Sequence, residues 1–419
     1  YMNYRLFLLH GDGKYFDVLE RSLYNGLISG VSLDGGGFFY PNPLESLGQH
    51  QRQPWFGCAC CPSNICRFIP SVPGYVYAVH NEDLYVNLFM GNTSSVVVNG
   101  KKVSIVQSTS YPWDGDVKLS ITPGGKQKIN LKIRIPGWLQ GQVVPGNLYS
   151  FTDKKTLSYS VRVNGEIVAS QVDKGYFSIN RVWKKGDVVD VHFDMEPRTV
   201  KANPLVVADK GKIAIERGPV VYCAEWVDNN FSVLSVILNK KPVFTVEKKP
   251  ELLYGITQIK TDAQMLSYND QGKIVASDVK LTMIPYYAWA HRGNGEMAVW
   301  LPNELSATRP LMPSTIASES KITASQNTKA ISAINDRLLP KDETDASVPY
   351  FHWWPKQGTT EWITYEFDSA KKISSSSVFW YDDAPWGGCR VPKAWKLMYR
   401  NTDGNWLPVE NINSYGIQK

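Results

Sequence analysis

The chain has 419 residues, 43% hydrophobic, 12% aromatic and 20% charged, a composition that excludes disordered and fibrous proteins and leaves room for two to four domains. Forty-five basic against 39 acidic residues give a formal net charge of +6, scattered in short mixed groups such as Lys184-Lys185-Gly186-Asp187, so the clustered basic footprint of a nucleic-acid binder is missing. No apolar run approaches the roughly 20 residues of a membrane span, and the first residues carry neither the charged start nor the small-residue cleavage site of a secretory signal.

In chain order, Tyr1 to Val31 predicts two helices, with Tyr4, Phe7 and Leu8 and then Tyr15, Phe16, Leu19, Leu23 and Leu27 at helical spacings around a Gly11-Asp12-Gly13 turn. Two helices of this length bury one stripe each and need partners that the rest of the chain is not expected to supply. The expectation is therefore more helices upstream of Tyr1, in a longer protein of which this is a C-terminal portion. Ser32 to Pro62 reads as Gly- and Pro-rich loop, followed by a short helix from Ser63 to about Pro70 with Ser63 as N-cap. From Tyr75 the periodicity becomes two: Leu84, Val86 and Leu88 alternate, and Ser95 to Val106, Val117 to Ile121, Ile129 to Ile135 and Ser160 to Val168 follow. Asn99-Gly100 and Asn164-Gly165 stand as hairpin turns in what reads as a sandwich ending near Val207. A second β-rich segment runs from Lys212 to Pro302, residues 303–320 form a linker, and 321–419 hold seven of the 14 Trp in strand-like stretches such as Trp362 to Phe367, Ser377 to Tyr381 and Trp395 to Tyr399.

Four of the six cysteines fall within Gly57-Cys58-Ala59-Cys60-Cys61-Pro62-Ser63-Asn64-Ile65-Cys66. Thiols this crowded suit a soft metal such as zinc, because vicinal cysteines seldom bond to each other. The residues leave three readings open: a disulfide framework with Cys223 or Cys389, a structural zinc site, and a catalytic one. The low cysteine density argues against the first. Further ligands would come from Glu45, His50 or upstream of Tyr1, and Cys66, Cys223 and Cys389 read as packing residues.

The cysteine stretch resembles the motif of glycoside hydrolase family 127 and its relative family 146, the β-L-arabinofuranosidases. Tyr40-Pro41-Asn42-Pro43-Leu44, Leu84-Tyr85-Val86-Asn87-Leu88-Phe89, Arg134-Ile135-Pro136-Gly137-Trp138, Glu216-Arg217-Gly218-Pro219-Val220-Val221-Tyr222 and Ile284-Pro285-Tyr286-Tyr287-Ala288-Trp289 match in order. The resemblance implies a multidomain, mainly β chain: residues 1–78 as the C-terminal part of a helical (α/α)6 catalytic barrel, 79–210 a β-sandwich and 211–302 a second β-rich domain. It also implies a retaining hydrolase with Zn2+ as cofactor, in which Cys60 is the nucleophile and a zinc ligand, Cys61 a second ligand, Cys58 a neighbour of the site and Tyr40 a contact to the sugar. A Glu-x-Cys motif and a general acid/base glutamate would lie upstream of Tyr1, so this chain alone is expected to be an incomplete enzyme.

Residues 321–419 resemble a discoidin-like β-sandwich through Glu361 to Phe367, Val378 to Asp383 and Arg390-Val391-Pro392. There Trp353, Trp354 and Trp386 are candidate sugar-stacking residues, and packing within the sandwich is the alternative. The expected partner is a plant-type oligo- or polysaccharide, and the expected location is periplasmic or secreted. The competing hypothesis is a non-catalytic carbohydrate-binding protein with a structural zinc-cysteine site. A thiol redox protein is disfavoured, since no Cys-x-x-Cys accompanies a βαβ unit.

Overall fold

The computed structural model describes residues 1–326, 328–340, 342–346, 348–410 and 415–416, with the backbone alone at 328–330. The chain is mostly β and divides into two compact units, one of residues 1–266 and 276–310, the other of 267–275 and 311–419. Among the described residues no helix is long and apolar enough to cross a membrane.

In the first unit a six-stranded sheet runs in the order Glu166–Ile167, Tyr159–Val163, Asp187–Phe193, Asp116–Pro123, Lys101–Thr109 and Asn92–Val98. A five-stranded sheet runs Val172–Asp173, Tyr176–Trp183, Gln127–Arg134, Asp83–Val86 and Tyr77–His80. Alternation turns Val103, Ile105, Leu119, Ile121, Val189 and Val191 of the first against Leu84, Val86, Ile129, Leu131, Ile133 and Trp183 of the second in one shared core. Both Asn-Gly pairs turn as expected, with positive φ at Asn99, Gly100, Asn164 and Gly165.

A third sheet, of eleven strands, follows the path Val236–Leu238, Ile256–Tyr268, Ile274–Pro285, Val220–Glu225, Lys212–Arg217, Pro197–Ala202 and Tyr149–Phe151. Tyr149–Phe151 and Pro197–Ala202 precede the sandwich end read from the sequence, yet they pair here, because strand partners are set by available edges and not by chain order. Glu45–Leu47 joins this sheet through Glu296–Ala298, which ties the loop before the cysteines to residues some 250 positions later.

Helix α1 spans Met2–His10 and ends on Gly11 in the left-handed region; helix α2 spans Lys14–Arg21 and runs on through a π turn to Leu27 and a 3-10 turn to Gly30. Their apolar stripe does find partners within this chain. Phe7, Phe16, Leu19 and Leu23 pack with Tyr85, Leu88 and Tyr176 on the outer face of the five-stranded sheet, where Phe7 meets the Tyr85 ring edge-on at 5.5 Å. The contact was not legible in the sequence because Tyr85 and Tyr176 alternate as ordinary solvent-side strand positions. A fully buried Arg134 fastens the same junction, donating to Asp17 Oδ1 at 2.8 Å, to Glu20 Oε1 at 2.5 Å and to the Asn87 carbonyl at 2.7 Å.

In the second unit the described residues form two separate two-stranded ladders, Lys321–Ala324 with Ile363–Glu366 and Met398–Arg400 with Trp406–Pro408. Ser377 to Tyr381, expected as a strand, is in no ladder among the described residues. Stacking of Tyr350 on Tyr381, with centroids 3.8 Å apart, fixes this segment instead.

Candidate functional site

Helix α3 spans Cys60–Phe68, three residues earlier than the sequence suggested. Pro62 explains the shift: its fixed φ suits a first turn and its missing N–H costs nothing there. Ser63 consequently lies inside the helix and donates to the Ala59 and Cys60 carbonyls at 2.7 and 3.1 Å in place of capping it. Cys60 and Cys61 thus open the helix, where the unpaired N–H groups and the positive end of the dipole favour thiolate. Ile65 faces Gly30, and Cys66, read as a packing residue, is exposed because the buried face of α3 is formed by Pro62 and Phe68.

The Tyr40 hydroxyl sits 3.3 Å from Cys60 Sγ, and Cys61 Sγ lies 3.8 Å from Cys60 Sγ. Hydrogen bonding from Tyr40, with smaller contributions from Cys61 and Cys58, holds the Cys60 thiol below its ordinary value. The same bond pushes the Tyr40 phenol up to about 12, and desolvation together with the Cys60 charge raises Cys61. Of these three groups Cys60 is thus the one that ionises most readily. Phe56 meets the Tyr40 ring edge-on at 5.4 Å, and Trp55, a few residues before the thiols in sequence, is more than half exposed beside Phe38.

Glu45 pairs with Arg309 at 2.7 Å and Lys212 at 3.5 Å, and His50 with Ser46 Oγ at 3.0 Å, so neither reaches the thiols. No group of three or more His, Cys, Asp or Glu side chains among the described residues is placed to hold a metal. The two thiols nevertheless fit zinc as part of a donor set. A tetrahedral site with Zn–S near 2.3 Å has sulfur atoms about 3.8 Å apart, which is the separation of Cys60 and Cys61. All six cysteines are free; Cys223 is fully buried, its thiol pushed up by desolvation, and Cys389 is half-buried.

The loop that carries Tyr40 is clamped to the helical segment ending at Gly30 and to the turn that follows strand Ile274–Pro285. Asn42 Oδ1 accepts from Ser29 Oγ at 2.9 Å and Tyr286 OH at 3.1 Å, while Asn42 Nδ2 donates to the Gly26 carbonyl at 2.7 Å. Arg52 donates to the Trp289 carbonyl and to the Ser29 carbonyl, each at 2.8 Å, with its guanidinium 4.5 Å from the centre of the Phe39 ring. Phe39 stacks on Trp289 at 5.1 Å. Asn42 and Tyr286, 244 positions apart, both stand inside the motifs matched in the sequence, but nothing in the sequence pairs them. In the second unit Trp386 is 94% exposed, Trp354 is half exposed against Gly388, and Trp353 is half-buried beside Phe351.

Three family models match the chain consecutively: the GH127 β-L-arabinofuranosidase catalytic domain over residues 1–74, the GH127 middle domain over 83–195 and the family 127 C-terminal domain over 197–302. The chain belongs to glycoside hydrolase family 127. It is 31% identical over 324 residues to a non-reducing end β-L-arabinofuranosidase of Bifidobacterium longum subsp. longum, covering 70% of this chain and 46% of that protein. A solved GH127 β-arabinofuranosidase shares 65% identity with a TM-score of 0.73, over 75% of this chain and 49% of the other. The crystal structure of a GH127 β-L-arabinofuranosidase from Geobacillus stearothermophilus T6 shares 38% identity with a TM-score of 0.64, over 72% and 48%. The chain thus spans about half the length of these family 127 relatives.

Proposed function

We propose that the protein of which this chain is part is a retaining glycoside hydrolase that releases terminal β-L-arabinofuranose, or a related sugar, from plant glycans, with Cys60 as nucleophile. The observation that carries the reading is a thiol at a helix N-terminus, hydrogen-bonded by Tyr40 and held below its ordinary value, in a chain whose relatives are named arabinofuranosidases. In the first step the Cys60 sulfur forms a bond to the anomeric carbon as the bond from that carbon to the leaving oxygen breaks. An acid from the part of the protein before Tyr1 supplies the proton to that oxygen. In the second step water attacks the anomeric carbon, the same carboxylate takes its proton, and the C–S bond breaks to return the thiolate. Tyr40 donates to the Cys60 thiolate before the first step and again after the second and contacts the sugar, and Cys58 stays beside the site. A zinc ion held by Cys60 and Cys61 with upstream ligands would keep the thiols ionised at neutral pH and temper the basicity of the sulfur.

On the same reading the helices of residues 1–78 are the end of an (α/α)6 barrel, and residues 321–419 form a discoidin-like module in which Trp353, Trp354 and Trp386 take part in sugar binding. The protein would work in the periplasm or outside the cell. Zinc content per chain, combined with mass-spectrometric trapping by an arabinofuranoside-based inactivator on the full-length protein, tests the core of this. About one zinc with label on Cys60 is expected. Zinc without label, with Cys60→Ser still active, refutes the nucleophile assignment and leaves a structural metal site.

A further inference from the structure

We propose that Tyr286 and Asn42 are positioning residues for Tyr40, so that the turn following strand Ile274–Pro285 of the eleven-stranded sheet sets the contact between the Tyr40 hydroxyl and Cys60; the inference rests on the cysteine-centred reading above. The Tyr40 side chain is half exposed and touches Phe56 and Cys60, so its own packing defines its place only weakly. Its backbone is held firmly on both sides. One residue before it, Phe39 donates its N–H to the Gly30 carbonyl at 3.0 Å and stacks on Trp289. Two residues after it, Asn42 bridges Gly26, Ser29 and Tyr286.

The buried Tyr286 hydroxyl also donates to the Pro43 carbonyl at 2.8 Å, so one phenol reaches two consecutive residues of the loop. Pro41 and Pro43 flank Asn42 and fix their own φ, which makes the stretch from Tyr40 to Pro43 a short stiff arm. Further on, Glu45–Leu47 pairs with Glu296–Ala298 of the same sheet. A displacement at Tyr286 is therefore passed along three residues to a hydroxyl whose useful contact is 3.3 Å long. Reacting groups tolerate such displacements poorly.

The test is a double-variant cycle in the full-length enzyme, with Tyr286→Phe, Tyr40→Phe and the pair together. The readouts are the rate of Cys60 carbamidomethylation by iodoacetamide, followed by mass spectrometry, and kcat and KM on an aryl arabinofuranoside. Tyr286→Phe is expected to slow Cys60 modification and lower kcat by about threefold or more, with KM within about twofold. In the Tyr40→Phe background it is expected to change neither rate, because the residue it acts through is already silenced. Additive losses, or a wild-type modification rate in Tyr286→Phe, overturn the proposal. Asn42→Ala run through the same cycle carries the same expectation should Tyr286→Phe fold poorly. The modification arm needs no substrate: a protein inert to arabinofuranosides that still shows the non-additive pattern refutes the substrate reading and supports the positioning role.

Discussion

Replacing Arg134 by Met probes the junction that holds the helices against the sandwich. The guanidinium is fully buried and makes three charge-assisted bonds, to Asp17, Glu20 and the Asn87 carbonyl, with its central carbon 5.6 Å from the centre of the Phe89 ring. Met fills much of the volume but leaves Glu20 with the Tyr111 hydroxyl at 3.0 Å and Asp17 with the Gly137 N–H at 3.1 Å as partners. Removing one member of a buried charge group costs about 3–5 kcal/mol, chiefly from the charges left behind. Burial already pushes both carboxyls up against the opposing pull of Arg134, and the carboxylates keep Arg134 protonated. In the variant only the Gly137 N–H and the Tyr111 hydroxyl still oppose the upward push of burial. A carboxyl raised in the folded state destabilises most when ionised, so the loss should be largest above the raised values and shrink as pH falls toward the ordinary 3.8 and 4.5. Urea unfolding of the full chain between pH 4 and 8 measures this. The triple variant Arg134→Met/Asp17→Asn/Glu20→Gln should recover part of the stability, because no bare charge stays buried. A single-variant loss below about 1 kcal/mol, or one independent of pH, would refute the reasoning.

Three further outcomes are expected. Tyr40→Phe, in chelator-treated protein, should move the pH midpoint of Cys60 alkylation upward, because the hydroxyl that lowers the thiol is gone; each tenfold loss of thiolate offsets about a threefold gain in nucleophilicity, so a net slowing of about threefold at neutral pH is the scale. An unchanged midpoint contradicts a hydrogen bond between Tyr40 and Cys60. Gly115→Ala should cost about 3 kcal/mol, since a Cβ there would lie 1.8 Å from the Phe193 carbonyl oxygen, and thermal unfolding reads it directly. His192, hydrogen-bonded to Asp116 Oδ1 at 2.6 Å and facing Asp194, is raised above 6.5; its contribution is present in full below pH 6.5 and lost as pH rises through the raised value. Asp116→Asn should bring its NMR titration midpoint down toward 6.5, and no movement would refute the pairing.

Much of the local architecture was legible in the chain itself. Strand alternation between Leu84 and Val191, both Asn-Gly turns and the helical stripe of Tyr1 to Val31 follow from side-chain periods that any short window carries. The cysteine cluster was likewise visible as four thiols in nine residues, although the residues alone left three readings of it open. What the sequence could not show were the pairings across long separations. Tyr40 reaches Cys60 across 20 positions, Asn42 meets Tyr286 across 244, and the stripe of α1 and α2 settles on Tyr85 and Tyr176. The difference has one physical origin. Backbone periodicity and turn preference are properties of neighbouring residues, whereas the choice of which edge, ring or carbonyl meets a given side chain is made when the core closes and selects among many partners of the same type.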